Sequence, residues 1–127
     1  MNFDGKVAIV TGSARGIGWC IAESFIRDNA RVVLADVLDM PELCRQYIDS
    51  GKAIYVKSDI AREESVIEMT TKAKEAFGRI DFLVNNAATG VKKKLCELRL
   101  DEWQRVIEVN LTGAFLCAKY CCVELEA

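Results

Sequence analysis

The chain contains no histidine, a single proline and no excess of basic residues. Without an imidazole, neither a histidine general base nor a histidine-ligated metal can be built from these 127 residues. Six cysteines are present but no C-x-x-C: Cys20, Cys44 and Cys96 stand alone, while Cys117, Cys121 and Cys122 share one helical segment. That spacing argues against a zinc site and a disulfide framework. It predicts reduced thiols serving as small hydrophobes in a cytoplasmic setting. A formal net charge of −2 lacks the basic footprint of a nucleic-acid binder, and the one basic run, Lys92-Lys93-Lys94, reads as a solvated loop. Met1 to Val10 holds only the short apolar run Val7–Val10 beside Asp4 and Lys6. A secretory signal needs a longer run and a spanning helix needs about twenty residues. The expectation is a cytoplasmic protein with no membrane and no nucleic acid among its partners.

Half of the residues are hydrophobic and 28% are charged, the balance of an ordinary globular protein. The length suits one domain, 1–127, able to bury roughly two thirds of its unfolded surface. Short apolar runs alternate with longer helical patterns. Val7-Ala8-Ile9-Val10 ends at Thr11-Gly12, as expected of a strand buried on both faces. From Gly16 a helix follows with Ile17, Ile21 and Phe25 on one face, ending near Asp28-Asn29. Arg31 to Ala35 is the second run, closed by Asp36. Pro41 suits the first position of a short helix towards Ser50-Gly51. Ala53 to Val56 is the third run, ahead of Ser58-Asp59. Glu63 and Glu64 favour the positive start of another helix, whose inner face is Val66, Thr70, Ala73 and Phe77. Phe82-Leu83-Val84 is the fourth run, ending in Asn85-Asn86. This alternation predicts an α/β fold with a parallel sheet, helices on both faces and right-handed crossovers.

The last segment predicts a helix over Asp101 to Asn110 with Trp103, Val106 and Ile107 inward, continuing or resuming through Glu126. It carries two apolar stripes, Phe115–Ala118–Cys122–Leu125 and, roughly opposite, Leu116–Tyr120–Val123. A helix apolar on both sides should be buried on both sides, so a partner is expected beyond the chain's own sheet.

Chemistry concentrates where the apolar runs end. Gly12-Ser13-Ala14-Arg15-Gly16-Ile17-Gly18 lies between a predicted strand and a predicted helix. Glycine permits the tight turn and the close approach of a ligand, and the free N–H groups of a helix start suit a pyrophosphate; a plain glycine-rich turn is the other reading. Asp36 ends the second run, where a carboxylate can accept hydrogen bonds from an adenosine ribose and would repel a 2′-phosphate. A plain turn or cap aspartate is the other reading. Arg15 points the opposite way, since a cation in the glycine turn could serve that phosphate. Asp59 admits two readings, a contact to an adenine amino group or a turn residue before the next helix. Asn85-Asn86-Ala87-Ala88, taken alone, is a polar strand terminus. In open α/β sheets ligands bind at these ends, near the point where strand order reverses.

Thr11-Gly12-x-x-x-Gly16-Ile17-Gly18 resembles the glycine motif of the short-chain dehydrogenases/reductases. Asn85-Asn86-Ala87-Ala88 is similar to the family's Asn-Asn-Ala-Gly, with Ala88 in place of glycine, and Val109-Asn110-Leu111-x-Gly113 resembles its asparagine segment. The likeness spans essentially the whole chain in order. It implies a Rossmann-type fold, reversible alcohol–carbonyl oxidation by hydride transfer, and NAD(P) binding; within that pair, the Asp36 carboxylate favours NAD over NADP. It also implies cofactor-binding roles for Gly12, Ser13, Arg15, Gly16, Ile17, Gly18, Asp36, Asp59, Ile60, Asn86, Ala87 and Ala88. Asn85 and Asn86 would support the sheet and the cleft, and Asn110 would support catalysis by helping to hold a proton-relaying water; a purely local structural role for Asn110 is compatible with that.

The family's catalytic serine and Tyr-x-x-x-Lys are expected beyond the asparagine segment, after a further strand. Tyr47 and Tyr55 precede Asn110, and Tyr120 is followed four positions later by Glu124. The chain therefore reads as the cofactor-binding portion of such an enzyme, truncated after the fourth strand and its long helix and inactive alone, whose parent takes a small alcohol or carbonyl. Two other readings stand beside it: a non-catalytic dinucleotide-binding or dimerising module, and an adenosyl-methionine methyltransferase, against which the glycine spacing counts. Truncation also predicts a homo-oligomer that buries the Leu116–Tyr120–Val123 stripe, the Phe82–Val84 edge, or both.

Overall fold

The apolar run at Val7 becomes the first strand, β1 (Val7–Thr11), every residue of which is buried. β2 (Arg31–Asp36), β3 (Ala53–Lys57) and β4 (Phe82–Val84) join it in one parallel sheet of order β3-β2-β1-β4. This computed structural model describes residues 1–125. Thr11 stands opposite Ala35, and Val10 opposite both Leu34 and Val84. The register therefore delivers Gly12, Asp36 and Asn86 to the same end of the sheet.

Side chains alternate between two cores, as the period of a strand requires. Ile9, Val33, Ala35 and Val56 face one side, packed with Val66, Met69 and Ala73 of α3 (Glu63–Phe77) and with Leu116, Cys117 and Cys121. Ala8, Val10, Val32 and Leu34 face the other, against Ala22 and Ile26 of α1 (Gly16–Arg27) and Cys44. The expected inner face of α3 is present at Val66, Thr70 and Ala73, with Met69 added and Phe77 half-buried. Burying each such Val, Leu or Ile contributes about 1.5–3 kcal/mol before the entropy of ordering is charged against it.

Two helical faces differ from expectation. In α1 the buried row is Gly18, Ala22 and Ile26, one position beyond the expected Ile17, Ile21 and Phe25, and Ile17 is 74% exposed. The small residues Gly18 and Ala22 let the helix close on β1, which turns the bulkier row to the edge of the contact. Pro41 precedes its helix rather than opening it: a 3₁₀ turn (Glu42–Cys44) intervenes before α2 (Arg45–Asp49).

The larger difference lies in the last segment. α4 (Leu100–Ile107) runs into a π-helical stretch (Glu108–Gly113) and then α5 (Ala114–Leu125). The wider turn shifts the phase of α5 relative to α4, so the inward face of α4 does not say which of the two stripes within α5 meets the sheet. Trp103, expected inward, is 53% exposed; Val109, Gly113, Leu116, Cys117 and Cys121 are the buried residues. Leu116 and Tyr120 thus pack on the chain's own core, and Val123 is exposed. The apolar face left outward is Phe115, Ala118, Cys122 and Leu125, not the Leu116–Tyr120–Val123 stripe. Tyr120 is held further by its hydroxyl, which donates to Glu63 Oε1 at 2.6 Å, while Lys74 pairs with Glu124 at 2.9 Å. By length and composition Leu100–Leu125 is long and apolar enough to cross a membrane, yet one of its sides lies on the sheet and α3. Glu126, expected to end this helix, lies outside the described residues.

Candidate cofactor cleft

The end of β1 is joined to the end of β4 by side-chain hydrogen bonds. Buried Thr11 donates its hydroxyl to the Val84 carbonyl (3.3 Å), and its Oγ1 accepts from Asn86 N (3.1 Å) and Ala87 N (3.0 Å). Asn86 Nδ2 donates back to the carbonyls of Thr11 (3.0 Å) and Gly12 (3.3 Å). That amide occupies the space where side chains at two glycines would stand. A Cβ at Gly12 would come within 2.9 Å of both Asn86 Nδ2 and Ala87 Cα. One at Gly18 would come within 2.5 Å of Asn86 Nδ2 and 2.1 Å of the Gly12 carbonyl oxygen. Both glycines are therefore demanded by the close packing of the turn on β4.

Gly16 answers a different need. Its φ of 60° lies in the left-handed region, and nothing stands within 4 Å of where a side chain would project. It begins α1, a helix whose N-cap residue Arg15 makes no side-chain capping bond and whose first turn contains no acidic residue. The N–H groups of that turn are the unsatisfied donors of a helix start, with the positive end of the helix dipole behind them.

Around this helix start lies a cleft of about 430 Å³, within the usual 300–1,000 Å³ range of small-molecule sites. Gly12, Arg15, Gly16, Ile17 and Gly18 line it from the turn, Asp36 from β2, Asp59 and Ile60 from beyond β3, and Asn86, Ala87 and Ala88 from beyond β4. The strand ends thus bring together eleven of the twelve residues expected to bind the cofactor. Ser13 is turned away: it is buried, and both its N–H and its hydroxyl donate to the Ala35 carbonyl. Asn110 does not line the cleft. It clamps Thr89, a residue that does, its Oδ1 accepting from Thr89 N (2.8 Å) and its Nδ2 donating to Thr89 O (2.9 Å). Asn85 Nδ2 donates to the Ala114 carbonyl at 3.3 Å, tying the β4 end to α5.

The two aspartates are held differently. Asp36 accepts the Ala14 N–H on one oxygen (3.0 Å) and the Leu38 N–H on the other (3.1 Å). These bonds fix the carboxylate between the glycine turn and the loop after β2. Asp59 accepts the Ala61 N–H at 3.1 Å, and Arg105 from α4 reaches both of its oxygens at 3.3 and 3.4 Å. Arg105, Thr89, Leu38 and Ser58 also line the cleft and were not anticipated. Arg105 and Asp59 lie far apart in the chain with nothing periodic to connect them, so no local pattern announces the pair. Thr11, by contrast, opens the glycine motif, and its place at a strand end was a usable signal.

A parallel sheet with helices on both faces, and a cleft at its carboxyl end floored by a glycine turn, defines the nucleotide-binding class of α/β folds. The chain belongs to the short chain dehydrogenase family, whose profile matches residues 6–127. It is 42% identical over 125 residues to an uncharacterized oxidoreductase of Thermotoga maritima, covering 96% of this chain and 49% of that protein. It is also 42% identical to glucose 1-dehydrogenase 2 of Bacillus subtilis, over 93% of this chain and 48% of that one. A crystal structure of 3-ketoacyl-(acyl-carrier-protein) reductase from Brucella melitensis complexed with NADH superposes with a TM-score of 0.85 at 29% identity. That match covers 97% of this chain and 51% of the reductase. The chain spans about half the length of the relatives it matches.

Proposed function

We infer that the cleft binds a nicotinamide dinucleotide, NAD in preference to NADP, as the cofactor-binding portion of an alcohol–carbonyl oxidoreductase. The carrying observation is Gly16: a left-handed glycine with open space where a side chain would project, at an uncapped helix start that lines the cleft. A Cβ there would fill the cradle, and the donors around it suit a pyrophosphate. The NADH-bound Brucella reductase supports the same reading by analogy of fold and sequence.

The residues divide the work accordingly. N–H groups of the first turn of α1 would face the pyrophosphate, with Gly12 and Gly18 keeping the turn tight. Asp36, with one backbone donor on each oxygen, has lone pairs left for the adenosine ribose hydroxyls, and its charge disfavours a 2′-phosphate. Asp59 and Ile60 would meet the adenine, and Ala87 and Ala88 would flank the path towards the nicotinamide. Arg15, exposed beside Gly16, is the one feature that favours a 2′-phosphate. When bound, the cofactor supplies hydride transfer at the nicotinamide ring. The accompanying proton transfer needs an acid–base group, and the 127 residues hold no Tyr-x-x-x-Lys. Asn110 shapes the site through Thr89. On this reading the chain alone binds cofactor without turnover, which also leaves a non-catalytic nucleotide-binding module as the alternative.

Calorimetric titration with NAD, NADP and adenosyl-methionine tests the assignment. NAD is expected to bind more than about tenfold tighter than NADP, since juxtaposed like charges are costly. Asp36→Ala should abolish that preference. Equal affinities, or a preference indifferent to Asp36→Ala, would refute it, and tighter adenosyl-methionine binding would replace the reading altogether.

We also place the protein in the cytoplasm as a homo-oligomer. All six cysteines are free, which suits a reducing compartment. Phe115 and Leu111 are 61% and 65% exposed on the outward side of the last helix, and Phe82–Val84 forms one edge of the sheet. An isologous pair of copies would cover either surface. Light scattering over a dilution series should show a dimer that Phe115→Glu or Leu83→Pro weakens; a monomer at micromolar concentration would sink this assignment.

A further inference from the structure

The loop that follows β2 carries one wall of the cleft, with Val37 and Leu38 both lining it. Both side chains are exposed at their outer surface, so packing alone does not hold them. What holds the loop is a pair of hydrogen bonds on one peptide-bearing residue. Leu38 N–H donates to Asp36 Oδ1 at 3.1 Å, and the Leu38 carbonyl accepts the Tyr55 hydroxyl at 2.6 Å. One strand step further, on the same face of β3, Lys57 Nζ pairs with Asp39 at 2.7 Å. The tyrosine ring is itself anchored, packed against the core that contains Cys44 and Leu34. Burial and the neighbouring carboxylate of Asp36 push its phenol up to about 12, so it remains a donor at every working pH.

We propose that Tyr55 is a positioning residue for the adenosine end of the cleft: through the Leu38 carbonyl it fixes the rim against which Asp36 is aimed. This rests on the nucleotide-site reading above and adds to it a residue that lies outside the cleft. Asp36 and Leu38 share a hydrogen bond, so a rim free to swing takes with it one of the two donors that orient the carboxylate. Tyr55 makes no demand on the pyrophosphate turn, so the loss should fall wholly on the adenosine side.

The experiment compares Tyr55→Phe with the unmodified chain by calorimetry, using NAD and AMP as probes. Tyr47→Phe is the control, because it removes a comparable hydroxyl bond, to Glu23 at 3.1 Å, away from the cleft. Tyr55→Phe should raise Kd for NAD and for AMP by the same factor, roughly three- to tenfold for one lost hydrogen bond. Tyr47→Phe should leave both unchanged. The Leu38 amide should also exchange its hydrogen faster in Tyr55→Phe without ligand, a change that general destabilisation would spread over the whole sheet. Unchanged affinities in Tyr55→Phe, or equal losses in Tyr47→Phe, overturn the proposal while leaving the nucleotide site intact. Failure of the unmodified chain to bind either probe overturns the site reading and this proposal with it. Should Tyr55→Phe not fold, Lys57→Gln loosens the same rim at Asp39 and should weaken both probes in equal proportion; no change in that variant overturns the idea.

Discussion

Replacing Gly18 with alanine should damage this fold more than its size suggests. The added Cβ would lie 2.1 Å from the Gly12 carbonyl oxygen and 2.5 Å from Asn86 Nδ2, so backbone or helix must retreat by about an ångström. Overpacking of this kind costs about 1–3 kcal/mol. Retreat also stretches the Asn86 bonds to Thr11 O and Gly12 O, at about 1 kcal/mol each. Against this, alanine in place of glycine within a helix returns about 1 kcal/mol. The net is a loss of about 2–4 kcal/mol, and a domain of this size loses about 3–6 °C of Tm per kcal/mol. Circular-dichroism melts of Gly18→Ala should therefore fall by roughly 6 to 24 °C. Gly78→Ala is the comparison: its φ is 77° at the end of α3 with nothing within 4 Å, so only left-handed strain of about 1–2 kcal/mol applies. If Gly18→Ala melts within about 2 °C of the unmodified chain, the closeness of α1 to the β1–β4 junction does not depend on glycine and the steric argument fails.

Further outcomes follow from other parts of the structure. Asn110→Ala removes both bonds to Thr89 and should cost about 1 kcal/mol in urea unfolding while weakening ligand binding in the cleft; unchanged values in both measurements would show that the clamp is idle. Burial alone would raise the Asp81 carboxyl, but the Arg79 guanidinium, the Val7 N–H and Lys6 outweigh it and hold it below its ordinary 3.8. A depressed folded pKa gives stability that is present above the unfolded value and lost as pH falls through the folded one. Asp81→Asn should therefore lower stability at neutral pH and flatten its decline below about pH 4, read from urea midpoints across that range. Ellman titration of the native chain should count the exposed Cys20, Cys96 and Cys122 quickly. Cys44, Cys117 and Cys121 should react only on unfolding, since burial pushes Cys117 to about 11 and Cys121 to about 12; fast reaction of all six would contradict the packing of α5.

The amino-acid sequence alone determined the strands and the chemistry at their ends. Those features are local: an apolar run buried on both faces, a glycine turn before a helix, a carboxylate or amide where a strand stops. Each can be read within a few residues because backbone conformation and strand period act over that distance. What the sequence left undecided, tertiary packing settled. The π-helical stretch at Glu108–Gly113 set which side of the last helix meets the sheet, and Gly113 sits there because a Cβ would come within 2.7 Å of Ile60. That constraint belongs to a neighbour far away in the chain, so the projected stripes came out exchanged. Arg105 on Asp59, Asn110 on Thr89 and Tyr55 on the Leu38 carbonyl are likewise contacts between distant segments. They depend on where whole elements come to rest against one another, and no periodicity in the chain encodes a distance of that kind.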